Sequence, residues 1–113
     1  MTIVVNSELG KYELPSNDRL KELGLYFRGI SKCERNDPRL VDVVTRLIDI
    51  GENSTDNCVL GLIEIPDDVQ SWSIEDYAGA ECVNYICGGV AHSIGAWEAF
   101  DWDHYDDNEE DMN

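Results

Sequence analysis

After Arg46 the sequence contains neither lysine nor arginine. Residues 51–113 hold sixteen Asp and Glu side chains and no basic one, for a net charge of −16. All eight basic residues lie in residues 1–50: Lys11, Arg19, Lys21, Arg28, Lys32, Arg35, Arg39 and Arg46. The same stretch holds eight acids, Glu8, Glu13, Asp18, Glu22, Glu34, Asp37, Asp42 and Asp49, so its net charge is zero. So few cations, balanced by acids around them, argue against direct binding to nucleic acid, because phosphates repel an anionic protein. Long apolar runs are missing too: none approaches the ~18 residues a membrane-spanning helix needs. The segment Met1-Thr2-Ile3-Val4-Val5-Asn6 has no basic stretch leading into an apolar one, so no signal peptide is expected and the location expected is cytoplasmic.

Cysteine is sparse for a disulfide scaffold. Only Cys33, Cys58, Cys82 and Cys87 occur in 113 residues. Three of them sit in apolar, strand-like runs, and with no secretion signal reduced buried thiols are the expectation.

What remains is enough apolar material, 42% of the chain, for one modest folded core. Thr2–Val5 is a β-branched run and reads as a strand. Tyr12–Leu14 reads as a short strand closed by Pro15. Ser16 to Asp18 offers an N-cap for a short helix through Leu20 and Leu23, which Gly24 ends. Leu25–Cys33 alternates and reads as a strand. The strongest signal covers residues 38–50: Asn36 or Asp37 as cap, Pro38 in the first turn, and Leu40, Val43, Val44, Leu47 and Ile48 on one helical stripe. Cys58–Ile65 reads as a central strand stopped by Pro66. Residues 72–87 read as a β-hairpin turning at Ala78-Gly79. After Gly88-Gly89, Val90–Phe100 reads as a short helix. The expected fold class is α+β, a mostly antiparallel sheet with one main helix. The expected organisation is a single domain over residues 1–100 and an acidic, aromatic-containing tail over 101–113.

The spacing of residues in the middle of the chain suggests a family. Asp37-Pro38-Arg39-Leu40-Val41 with Val43, Val44 and Leu47 is followed by Ile65-Pro66-Asp67-Asp68-Val69. Then come Trp72, Ile74-Glu75-Asp76-Tyr77, Gly79, Glu81 and Val83. This stretch, Glu34–Val83, resembles small uncharacterised phage and prophage proteins and covers a little under half of the chain. Those proteins usually carry Asp where this chain has Ala78, and they end soon after the second hairpin strand. The resemblance implies a phage or mobile-element setting and carries no activity with it.

The motifs of familiar chemistries are incomplete. Cys82, Cys87 and His92, with Cys33 or Cys58, could contribute zinc ligands, but the paired Cys-x-x-Cys knuckles of structural zinc sites are missing. Asp101, Asp103 and Tyr105 imitate the start of a calcium loop. Its glycine position is Asp106 and its final glutamate position is Met112, so that motif fails. A Cys87–His92 pair lacks an orienting third group. Asp67 with Asp68, and Glu75 with Asp76, are sequence neighbours that a strand sends to opposite faces, so neither pair makes an acid–base site. No catalytic residue, cofactor or metal is therefore expected.

The charge layout points instead to binding. Acids surround the hairpin at Asp67, Asp68, Glu75, Asp76 and Glu81. A second group, Glu98, Asp101, Asp103, Asp106 and Asp107 with Glu109, Glu110 and Asp111, is interleaved with Trp97, Phe100, Trp102 and Tyr105. Carboxylates two residues apart on a strand lie about 6.6 Å apart, close to two phosphate steps of ~3.4 Å along a nucleic-acid strand. Acids beside aromatics suit a basic, partly apolar groove. The expectation is a nucleic-acid mimic that occupies a basic host protein, such as an anti-CRISPR or anti-restriction inhibitor. Its expected contact residues are Asp67, Asp68, Glu75, Asp76, Glu81, Glu98, Asp101, Trp102, Asp103, Tyr105, Asp106 and Asp107. The plainer alternative is a solvated acidic surface, with Trp97 and Phe100 closing the core. Two further classes stay open: an assembly protein whose neutral half meets the acidic half of another copy, with a homodimer as one form, and a small metal protein or enzyme.

Overall fold

The computed structural model describes residues 1–8, 10–77 and 80–96. Strand β1 (Thr2–Asn6) pairs antiparallel with β2 (Leu60–Glu64), Thr2 opposite Glu64 and Asn6 opposite Leu60. Strands β3 (Ser71–Tyr77), β4 (Ala80–Cys87) and β5 (Val90–Gly95) form a second antiparallel sheet in the order β3-β4-β5. Helices α1 (Asn17–Glu22) and α2 (Pro38–Asp49) precede β2. The fold is α+β, as the sequence suggests.

The alternation of β1 and β2 sets the layering. Val4 and Leu60 are buried with Leu40, Val43, Val44 and Leu47 of α2, while Leu62 packs partly buried against them. Their neighbours Ile3, Val5, Ile63 and Ile65 point the other way and meet Val83 and Ala96. The two-stranded sheet is thus filled on both faces, α2 on one side and the β3–β5 sheet on the other. That is why Thr2–Val5 is an unbroken apolar-leaning run rather than a half-polar one.

Both helices end as their glycines require. Gly24 and Gly51 each adopt φ +73. Leu25 N–H then bonds Leu20 C=O at 2.8 Å and Glu52 N–H bonds Leu47 C=O at 2.8 Å, a left-handed C-cap closing each last turn. At the other end of α2, Asp37 accepts from Arg39 N–H at 2.9 Å, and Pro38 fills the first helical position.

Four sequence expectations give way. Leu25–Cys33 is not a strand: Gly29 takes φ +83, a 3₁₀ turn follows at Ile30–Lys32, and Leu25 and Ile30 are buried beside α2. Apolar residues two apart can fill a core from an irregular loop as well as from a strand. Tyr12–Leu14 is not a strand either, and packs its apolar side chains against the α2 core. The strand within Cys58–Ile65 is not central, since β2 pairs with β1 alone. Val90–Gly95 is a strand, not the start of a helix. Gly88 (φ +60) and Gly89 (φ +78) make the two-residue reversal whose twist matches paired strands, so the chain returns along β4. No helix among the described residues is long and apolar enough to cross a membrane.

Candidate functional site

The register of the second sheet sorts the predicted contact residues into two ends. Glu75 lies opposite Cys82, and Cys82 lies opposite Gly95. Glu75, Asp76 and the point where the chain leaves β5 for residues 97–113 are therefore at one end of the sheet. Glu75 and Asp76 are exposed. Asn84 Nδ2 donates to Glu75 Oε1 at 2.8 Å, and Ser93 Oγ donates to Asn84 Oδ1 at 2.8 Å. This polar row holds the Glu75 carboxylate on the face turned away from the core.

Asp67 and Asp68 sit in the loop before β3, toward the opposite end. Asp67 is an ion-pair partner of the N-terminal ammonium, which also donates to Ile65 C=O at 2.8 Å. That ammonium keeps the Asp67 carboxyl below its usual pKa. Asp68 is exposed and accepts from the Cys87 thiol at 3.6 Å.

Glu81 belongs to the interior, a correction to its expected place at a partner surface. Its side chain is only 9% exposed. Arg35 grips it with two bonds, Nη1 to Oε1 at 2.7 Å and Nη2 to Oε2 at 3.0 Å. Asn6 N–H donates to Oε1 at 2.7 Å. Arg35 also donates to Val4 C=O at 3.0 Å and lies 3.5 Å from the centre of the Tyr12 ring. A carboxylate taken from water needs this degree of pairing, because an isolated buried charge is far too costly. Position parity explains the outcome: Glu81 shares its face of β4 with Val83, and that face is the buried one.

The expected contact residues Glu98, Asp101, Trp102, Asp103, Tyr105, Asp106 and Asp107 lie outside the described residues, as do Trp97 and Phe100. The last described strand before them ends at Gly95, at the Glu75–Asp76 end of the sheet.

The thiol candidates do not converge. Cys82 hydrogen-bonds on the outer face with Asn84 and Ser93, each at 3.9 Å, whereas Cys87 and His92 alternate with it in register and lie on the other face. All four cysteines are free, and no cluster of metal-ligating side chains occurs among the described residues. Burial is the chief cause that pushes the Cys33, Cys58 and Cys87 thiols up, with Asp37 adding at Cys33 and Asp68 at Cys87. Those three are therefore thiols, not nucleophilic thiolates, at neutral pH. His92 stacks on Tyr85, ring centres 4.9 Å apart.

Ion pairs form within the first half and between the two halves. Arg19 pairs with Glu22 and Glu52, Arg39 with Asp37, Arg46 with Asp42. Among the described acids of the second half, Arg19 reaches Glu52, Arg35 reaches Glu81, and the N-terminus reaches Glu64 and Asp67. Asp68, Glu75 and Asp76 have no cationic partner among the described residues. No protein-family model, curated protein or solved structure matches this chain. The site is therefore read from its own geometry.

Between the two acidic ends lies a groove of about 570 Å³. It is lined by Ser71, Trp72, Ser73, Asn84, Tyr85, Ile86, Ala91, His92 and Ser93, with no Asp, Glu, Lys or Arg. This neutral strip was not foreseen from sequence. The available signal was the run Val90–Gly95, the longest uncharged edge of the hairpin region.

Proposed function

We propose that this protein is an acidic binding protein that occupies a basic, nucleic-acid-binding partner by presenting an anionic surface. The observation that supports this is the uncompensated carboxylate end of the second sheet. Glu75 and Asp76 stand exposed, with no cationic partner among the described residues, at the end of the sheet where β5 ends and the sequence goes on to eight more acids and four aromatics. Like charges held together are unfavourable within one molecule, and an opposite surface relieves them. The aromatics Trp97, Phe100, Trp102 and Tyr105 supply anchors of the kind that carry binding energy once desolvated. In this reading Glu75, Asp76 and Asp68 steer, and residues 97–113 anchor. The resemblance of residues 34–83 to phage proteins favours a host defence complex as the partner, in the host cytoplasm, and inhibition as the result.

The test is affinity capture of the full chain's partners from a bacterial lysate at moderate salt, followed by titration. Binding should weaken steeply with salt, and added duplex DNA or RNA should compete. Lysine at positions 101, 103, 106 and 107 in place of the four aspartates should abolish it. Salt-insensitive binding, or full affinity in that variant, overturns the proposal.

A further inference from the structure

Over residues 90–93, strand β5 is an edge of the second sheet with no charge, proline or cover among the described residues. Edge strands of natural sheets are blunted by charges, by proline or by a cover, because their free N–H and C=O groups pair with any extended chain. β3, the opposite edge, carries Glu75 and Asp76. β5 reads Val-Ala-His-Ser-Ile-Gly, with no acid, lysine, arginine or proline. Its residues 90–93 are exposed, Val90 by 56%. The two-residue turn at Gly88-Gly89 makes Cys87 and Val90 a hydrogen-bonded pair, so His92 also bonds toward β4. The main-chain groups of Ala91 and Ser93 then face away from the sheet, and no partner for them occurs among the described residues.

The charge map narrows the occupant. In a chain of net charge −16, two copies repel across almost any surface of the second half. The β5 edge and the adjoining groove of Ser71, Asn84, Ile86 and Ser93 are without charge, and Ile86 is 40% exposed there. Antiparallel pairing of β5 with itself about a two-fold axis also sends the two Glu75–Asp76 ends in opposite directions. A basic peptide gains nothing from an uncharged edge. An acidic segment, the molecule's own included, gains nothing from it either.

We propose that β5 pairs with β5 of a second copy of this chain, joining two three-stranded sheets into one of six strands. This stands apart from the binding function proposed above, since it uses the neutral edge and not the acids. The sign of the salt effect identifies it. The dimer contact is neutral and the background is repulsive, so added salt screens the repulsion and strengthens association. Head-to-tail pairing of the neutral half with the acidic half weakens with salt.

Sedimentation of the full chain across a concentration series, at about 0.05 M and 0.5 M salt, reads this directly. The expected result is a dimer that tightens at high salt. Ala91→Lys puts a charge on the edge and Ser93→Pro removes an outward N–H. Each should weaken the dimer on the order of tenfold or more while far-UV circular dichroism is unchanged. If Ser93→Pro does not fold, Ala91→Lys decides. Hydrogen exchange at Ala91 and Ser93 should slow as concentration rises. A monomer at all concentrations and both salts overturns the proposal, as do a dimer that salt dissolves, one indifferent to Ala91→Lys, or protection of these amides that is independent of concentration. The last would assign the edge to another segment of the same chain.

Discussion

Arg35 and Glu81, 46 residues apart in sequence, meet in a two-bonded fork of 2.7 and 3.0 Å that ties the loop before α2 to the central strand of the second sheet, at its Glu75–Asp76 end. Val4 C=O and Asn6 N–H of β1 complete the arrangement from between them. Among the described ion pairs between the basic and acidic halves it is the most buried, and it turns an acid of the anionic segment into a structural element.

Removing one partner should therefore hurt more than removing both charges. Arg35→Met leaves the buried Glu81 without its cation, at a cost of about 3–5 kcal/mol. Adding Glu81→Gln removes the stranded charge while its amide oxygen still accepts from Asn6. The double variant should thus recover part of the loss. Urea unfolding of the wild type, both single variants and the double variant measures the coupling. A double variant as unstable as the sum of the singles would show that the pair does not couple.

Tyr12, beneath the same guanidinium, predicts an alkaline transition. Burial is the main force holding its hydroxyl neutral, and its pKa is pushed up to about 12, although Arg35 acts in the opposite direction. A folded-state pKa above the unfolded value of about 10 gives stability that is complete below pH ~10 and is lost as pH rises through about 12. Tyr12→Phe lacks this ionisation. Its stability relative to wild type should therefore improve from pH 10 to 12, as denaturant midpoints will read. A constant difference across that range would remove Tyr12 from the alkaline limb.

Asp37 sets an acid counterpart. Hydrogen bonds from the Arg39 side chain and backbone hold its pKa at about 2. A depressed folded-state value gives stability present above pH ~4 that is lost as pH falls toward 2. Asn in its place keeps the cap but not the charge. Asp37→Asn should be less stable than wild type at pH 6, with the gap closing by pH 2. A gap that stays the same at both values would mean that only cap geometry matters.

The elements written in local chemistry were legible: α2 in its stripe and cap, the hairpin in its spacing, the short helix in Ser16 and Gly24. The errors fell where local pattern is ambiguous. Leu25–Cys33 alternates like a strand but serves as a loop whose apolar residues reach the core. Val90–Gly95 allowed a helical spacing until the paired positive φ of Gly88 and Gly89 forced a return strand. Among candidate site residues, Glu75, Asp76 and Asp68 proved exposed. Glu81 did not, because the depth of a face depends on what covers it, and the cover comes from Ile3 and Val5 at the other end of the sequence. Arg35 gave no signal of its own among eight basic residues of similar setting.

The exposed acids are not equivalent, and a cationic probe should rank them. Asp67 is already occupied by the N-terminal ammonium, so Asp67→Asn should change affinity for an oligo-lysine peptide little. Glu75 and Asp76 have no cationic partner among the described residues and lie at the end of the sheet where β5 ends, and in the proposed reading their fields add to those of the eight acids that follow in sequence. Glu75→Gln with Asp76→Asn should weaken peptide binding on the order of tenfold at low salt, and the difference should shrink as ionic strength rises. Calorimetric titration at two salt concentrations measures both. Equal effects from the Asp67 and Glu75–Asp76 variants would mean that the peptide senses only total charge, and the carboxylate end of the sheet would lose its claim to be a site.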